Sequence, residues 1–193
     1  MTTQNLIHSL NIVREYFSHN MRTSTAMVVA TVSVMKLGLD TENDDIDGII
    51  IESSYFLDIY DKGMEVVFNH VLDKPMRNDK ENVAPLKIVE LLLANLTKTI
   101  EEQGSKITCN FKDDIIIPET NSYILKTLLE VIICEEIKKS DTGLTINSEN
   151  NTIIIRKHMK SSSPEIYDIF ADMLHKLNIE FTYNDENTTL RFL

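Results

Sequence analysis

Between Leu6 and Met35, positions three and four apart keep returning to one stripe: Leu6, Leu10, Val13, Phe17, Met21, Ser24, Val28, Thr31 and Met35, with no Gly or Pro among them. That period predicts one long amphipathic helix ending near Gly38. A polar turn follows at 40–45. Ile46, Ile50, Ser53, Leu57, Tyr60, Met64, Val67 and Val71 then repeat with the four-three alternation of a bundle seam. The spacing predicts a second long helix, antiparallel to the first, that stops before Lys74-Pro75. A two-helix hairpin leaves its apolar stripe in water, and pairing with a second copy into a dimeric four-helix bundle is the usual remedy.

After Pro75 the segment MRNDKENVAP, residues 76–85, is polar and reads as a linker. Beyond it the pattern changes. Leu86, Val89, Leu93, Leu96 and Ile100 predict a helix closed by Gly104, Ile107 to Phe111 alternate as a strand, and Ile115 to Ile117 form another apolar stretch before Pro118. Tyr123 to Lys139 reads as a helix, 144–147 with 152–157 as a hairpin, Pro164 to Leu177 as a helix, and 179–183 with 188–192 as a closing hairpin. The expected fold class is α+β: a helical hairpin domain over 1–75, a linker over 76–85, and a layer of helices on a mixed sheet over 86–193.

The charge balance narrows the partners. Thirty Asp and Glu against nineteen Lys and Arg give a formal charge of -11, which offers no footprint for nucleic acid or anionic lipid. No apolar run approaches the ~20 residues that span a bilayer, and MTTQNLIHSL has no basic start or apolar core, so a cytoplasmic location without membrane insertion is expected. Cys109 and Cys134 have no metal-ligand or disulfide spacing and read as small buried hydrophobes. Asn43, Asp45, Asp47 and Gly48 mimic the start of a calcium loop, but Ser54 stands where its bidentate Glu belongs, and an acidic helix start is the better reading. His8, His70, His158 and His175 lack neighbours at ligand spacing and are expected at or near the surface.

His19 stands apart from these. At roughly 100° per residue it lies about 155° from the centre of the first helix's apolar stripe, on the outer face. Its surroundings, Phe17-Ser18-His19-Asn20-Met21-Arg22-Thr23, resemble the H-box of two-component histidine kinases, which runs Phe-Ser-His-Glu-(Leu/Met)-Arg-(Thr/Asn)-Pro. The resemblance implies a dimerising hairpin that presents His19 as phosphoacceptor. Asn20 replaces the acidic residue expected to act as base in autophosphorylation, and Ser24 replaces the helix-bending Pro. Thr23 matches the position of a polar residue that orients water when a regulator is dephosphorylated, Arg22 matches the motif, and Ala26 and Ala30 continue the face of His19 with small side chains that suit a docking partner.

The second half resembles the same family's ATP-binding domain in order but not in chemistry. In the N-box helix Glu135 stands at the magnesium-binding Asn, Val131 replaces the other Asn, and only the apolar frame and Lys138 survive. His158-Met159-Lys160-Ser161 has none of the glycines of the adenine-binding turn, and no long lid precedes the last helix. The domain thus resembles a degenerate catalytic domain, and the chain is similar to phosphorelay histidine phosphotransferases. That implies transfer between response-regulator aspartates through His19, without autokinase activity, ATP or a metal of its own, the Mg²⁺ being supplied by the regulator's receiver domain. A regulator phosphatase using Thr23, and a non-catalytic scaffold or inhibitor binding a receiver domain or a kinase, are the alternatives.

Overall fold

A computed structural model describes residues 3–36, 43–77, 79–102, 105–112, 114–140, 143–158 and 162–193, with backbone alone at 35–36, 43–47, 98–99 and 102. Helices α1 (Thr3–Lys36) and α2 (Asn43–Val71) form the hairpin. Ser24 and Ser53 share a groove near its tip, Phe17 meets Tyr60 midway, and Leu6 and Val71 share a cleft at its base, so the two helices run antiparallel. Of the turn expected at 40–45, residues 40–42 lie outside the described residues and 43–45 already belong to α2, so the second helix starts earlier than expected and the calcium-loop mimic opens it.

The apolar stripe is not left for a second copy alone to cover. Val13, Phe17, Phe56, Tyr60, Val67 and Val71 are buried within this chain, beneath helix α5 (Ser122–Lys138) and helix α6 (Ile166–His175). Gly63 allows the closest approach: a Cβ there would lie 2.8 Å from both Val131 Cγ2 on α5 and Phe17 Cε1 on α1. Toward the tip the stripe residues Val28, Thr31 and Ile50 are half-buried, and off the stripe Met27, Val29 and Ile51 are exposed, as is Ile7 toward the base.

The remaining elements are β1 (Lys80–Val83), α3 (Pro85–Asn95), α4 (Thr97–Glu102), β2 (Ile107–Phe111), β3 (Ile117–Asn121), β4 (Leu144–Glu149), β5 (Thr152–Lys157), β6 (Ile179–Tyr183) and β7 (Asn187–Phe192). A five-stranded sheet has the order β2-β4-β5-β7-β6, parallel between β2 and β4 and antiparallel elsewhere. Alternation puts Leu144, Ile146, Ile153, Ile155, Leu190 and Phe192 on its buried face. Asn150 and Asn151, both at positive φ, close the β4–β5 hairpin as an Asn pair can. The architecture is α+β, as the pattern predicts.

Helix α5 is buried at every residue from Thr127 to Ile137, with Glu130, Glu135 and Glu136 included, the signature of a helix without a solvent face. Its Val131 and Glu135 side meets the hairpin, and its Glu136 side meets the sheet.

Three local expectations change. The helix drawn from Leu86 to Gly104 breaks at Leu96, which is fully buried at φ -107°, ψ 13°, so packing overrides the continuous apolar period. The segment 76–85 is not wholly irregular, because Lys80–Val83 pairs antiparallel with β3. That partner begins at Ile117 and includes Pro118, which a two-stranded ribbon tolerates because one edge of each strand is free. Finally, Cys134 is buried as expected but Cys109 is exposed on β2.

Candidate functional site

The helical period sorts the H-box string into an inner and an outer set. Phe17 is buried completely and Asn20 and Ser24 nearly so, whereas His19, Arg22, Thr23, Ala26 and Ala30 are exposed. His19 therefore sits on the outer surface, where its angle from the apolar stripe puts it. The Thr23 hydroxyl donates back to the His19 carbonyl at 3.2 Å. Ser24, where a Pro would interrupt the ladder, instead donates to the Asn20 carbonyl at 3.4 Å.

Asn20 turns away from the surface. Its amide nitrogen donates to the Tyr16 carbonyl at 3.0 Å, and its amide oxygen accepts from Lys138 Nζ at 3.2 Å. Lys138 also lies over the rings of Tyr60 and Phe56, at 4.3 and 4.9 Å from their centroids. Burial lowers its pKa, against the raising influence of Cys134 and Glu135. His19, Asn20, Thr23, Ser53, Phe56 and Lys138 line one groove of about 360 Å³, with Glu52 on its α2 wall. The groove thus joins the hairpin to the α/β domain beside the exposed imidazole.

One helical turn below, the Tyr16 hydroxyl donates to Glu135 Oε2 at 3.0 Å, while Lys139 pairs with the other oxygen at 3.3 Å. Burial holds the Tyr16 pKa well above its ordinary value, reinforced by Tyr60 and by the negative Glu135, so the hydroxyl remains a donor. The Val131 and Glu135 side of α5, which the kinase resemblance assigns to nucleotide and magnesium, is covered by the hairpin. Among the described residues no group of three or more His, Cys, Asp or Glu side chains is arranged to hold a metal ion. No helix there is long and apolar enough to cross a membrane.

Two interactions escape sequence reasoning. Glu136, fully buried, accepts from Tyr167 at 2.7 Å and Thr188 at 2.8 Å through Oε1 and pairs through Oε2 with Lys157 at 3.4 Å. His70, at the base of the hairpin, bonds Asp172 on α6 at 2.8 Å. The partners lie 102 residues apart, so no local spacing advertises them. Burial lowers the His70 pKa, assisted by Lys176 and opposed by Asp172. A lowered histidine pKa means that the unfolded chain takes up its proton first as pH falls below about 6.5. Stability contributed by neutral His70 is present above that value and is lost as pH falls through the folded-state pKa. Urea midpoints should accordingly decline between about pH 7.5 and 5.5, and His70→Asn should flatten that slope.

No protein-family model matches the sequence, and no curated protein matches it. Solved structures do resemble the fold. The cytoplasmic segment of histidine kinase QseC superposes with a TM-score of 0.57 at 8% identity, over 69% of this chain and 92% of that one. The Acinetobacter baumannii histidine kinase AdeS gives 0.55 at 11% identity, over 89% and 95%. A bacterial phosphotransferase gives 0.50 at 9% identity, over 98% and 96% of the two chains. The chain has the fold of a histidine-kinase cytoplasmic core, a helical hairpin followed by an α/β domain.

Proposed function

We propose that this protein is a histidine phosphotransferase that relays a phosphoryl group between response-regulator aspartates through His19. The observation that carries this reading is the outward placement of His19 on a helix whose inner residues are locked by packing. Phosphoryl transfer depends chiefly on positioning and charge neutralisation, and a receiver domain with its own Mg²⁺ supplies much of the latter. Ala26 and Ala30 leave the same face open to a partner helix.

We propose further that the chain does not use ATP. A triphosphate does not fit: Glu135 would bring like charge to it, and Tyr16 and Gly63 press the hairpin against the helix face it would need. Calorimetric titration with Mg-ATP should give no heat of binding; micromolar affinity would restore the kinase reading.

Self-association belongs to the same proposal. Ile50, Leu57 and Met64, seven residues apart along one side of α2, are only half-buried, an apolar strip that a second hairpin would cover in a four-helix bundle. Leu57→Asp should shift the protein toward monomer in sedimentation velocity at micromolar concentration, and a wild type that is already monomeric would remove the dimer.

The test of transfer is to mix the protein with phosphorylated receiver domains. Label should move to an acid-labile, base-stable form, and His19→Ala should abolish the movement. Loss of receiver phosphate that needs Thr23 but not His19 would replace this function with a phosphatase. Binding without either reaction would leave a scaffold.

A further inference from the structure

We propose that Lys138 gives the His19 groove a fixed positive charge that seats the phosphoryl group, making the α/β domain part of the transfer site. The proposal rests on the phosphotransfer reading and adds a binding residue to it. Lys138 is the one Lys or Arg among the described residues lining the groove. Neighbouring Lys139 is committed to Glu135, whereas Lys138 reaches across to the hairpin. An ammonium has three N–H donors. One goes to Asn20, and the rings of Tyr60 and Phe56 hold the charge in place without taking a conventional acceptor's share.

A charge is needed there. The chain carries a formal charge of -11, and an arriving phosphoryl group is itself anionic. Preorganised positive charge in a partly water-excluded site stabilises such a group more than a mobile surface lysine can. In the step itself a lone pair of the neutral imidazole attacks phosphorus and an N–P bond forms. The bond from phosphorus to the aspartyl oxygen breaks, the carboxylate keeps that electron pair, and the proton on the other ring nitrogen passes to water. Lys138 forms no covalent bond. It holds the phosphoryl oxygens while His19 exchanges places with the aspartate.

Inorganic phosphate serves as probe, with the ring resonances of His19 as the readout. Wild type should show a saturable shift, Lys138→Met should weaken it by about ten-fold or more, and Lys138→Arg should restore most of it. Equal phosphate binding by wild type and a folded Lys138→Met, or no saturable shift in wild type, would overturn the seat. If Lys138→Met does not fold, Lys138→Gln decides, since its amide can still donate to Asn20 without the charge, and unchanged affinity counts against the proposal. Label transfer from a phosphorylated receiver, run in parallel, separates the two claims. Transfer without a Lys138-dependent phosphate site would retain the phosphotransferase and discard the seat. A Lys138-dependent phosphate site without transfer would do the reverse.

Discussion

Replacing Lys157 by Met should cost about 3–5 kcal/mol of folding stability, although the residue, at the end of β5, does not line the His19 groove. The Lys157 and Glu136 side chains are 2% and 1% exposed, and their charged atoms lie 3.4 Å apart. Loss of the ammonium strands a carboxylate in the core, with the Tyr167 and Thr188 hydroxyls both donating to its other oxygen. Neutralising that carboxylate as well should recover much of the loss, since Glu136→Gln keeps an acceptor for both hydroxyls. Urea unfolding of the two single variants and the double variant would measure the coupling. A Lys157→Met protein as stable as wild type would mean that the pair is not closed to water.

The second large effect separates two residues of one motif. Phe17 is fully buried, edge-on to Tyr16 at 5.0 Å and to Tyr60 at 6.4 Å, and it fills the space beside Gly63. Phe17→Ala should therefore cost about 3–5 kcal/mol through lost burial and the cavity left behind. His19, two residues on, is exposed, and His19→Ala should change stability by no more than about 0.5 kcal/mol. Chemical denaturation of both variants checks this contrast. Similar losses would show that the imidazole is part of the packing and not free for a partner.

The same contrast explains what was legible in the sequence. A helical period without Gly or Pro marks α1, a bundle-seam alternation marks α2, and the angle of His19 from the stripe fixes its exposure, because all three follow from local geometry. Alternation likewise marks β4, β6 and β7, while β5, with three isoleucines in a row, follows from the turn at Asn150-Asn151. What covers the stripe is set by tertiary packing. Tyr16 meets Glu135 across 119 residues and Asn20 meets Lys138 across 118, so the closure of the hairpin by helix α5 leaves no periodic trace. Asn20 looks in sequence only like a missing base, whereas in the fold it ties the hairpin to helix α5. β1 is invisible for another reason: of its residues only Val83 is buried, which gives no alternation to read. The break at Leu96 is hidden because the apolar period runs through it unchanged.

The most direct test of the central claim is to locate the phosphoryl group on the wild-type protein after brief mixing with a phosphorylated receiver domain, by peptide mass spectrometry under conditions that preserve phosphoramidates. The account predicts modification at His19 and at no other histidine. Modification at another residue, or none while the receiver is demonstrably bound, would contradict it.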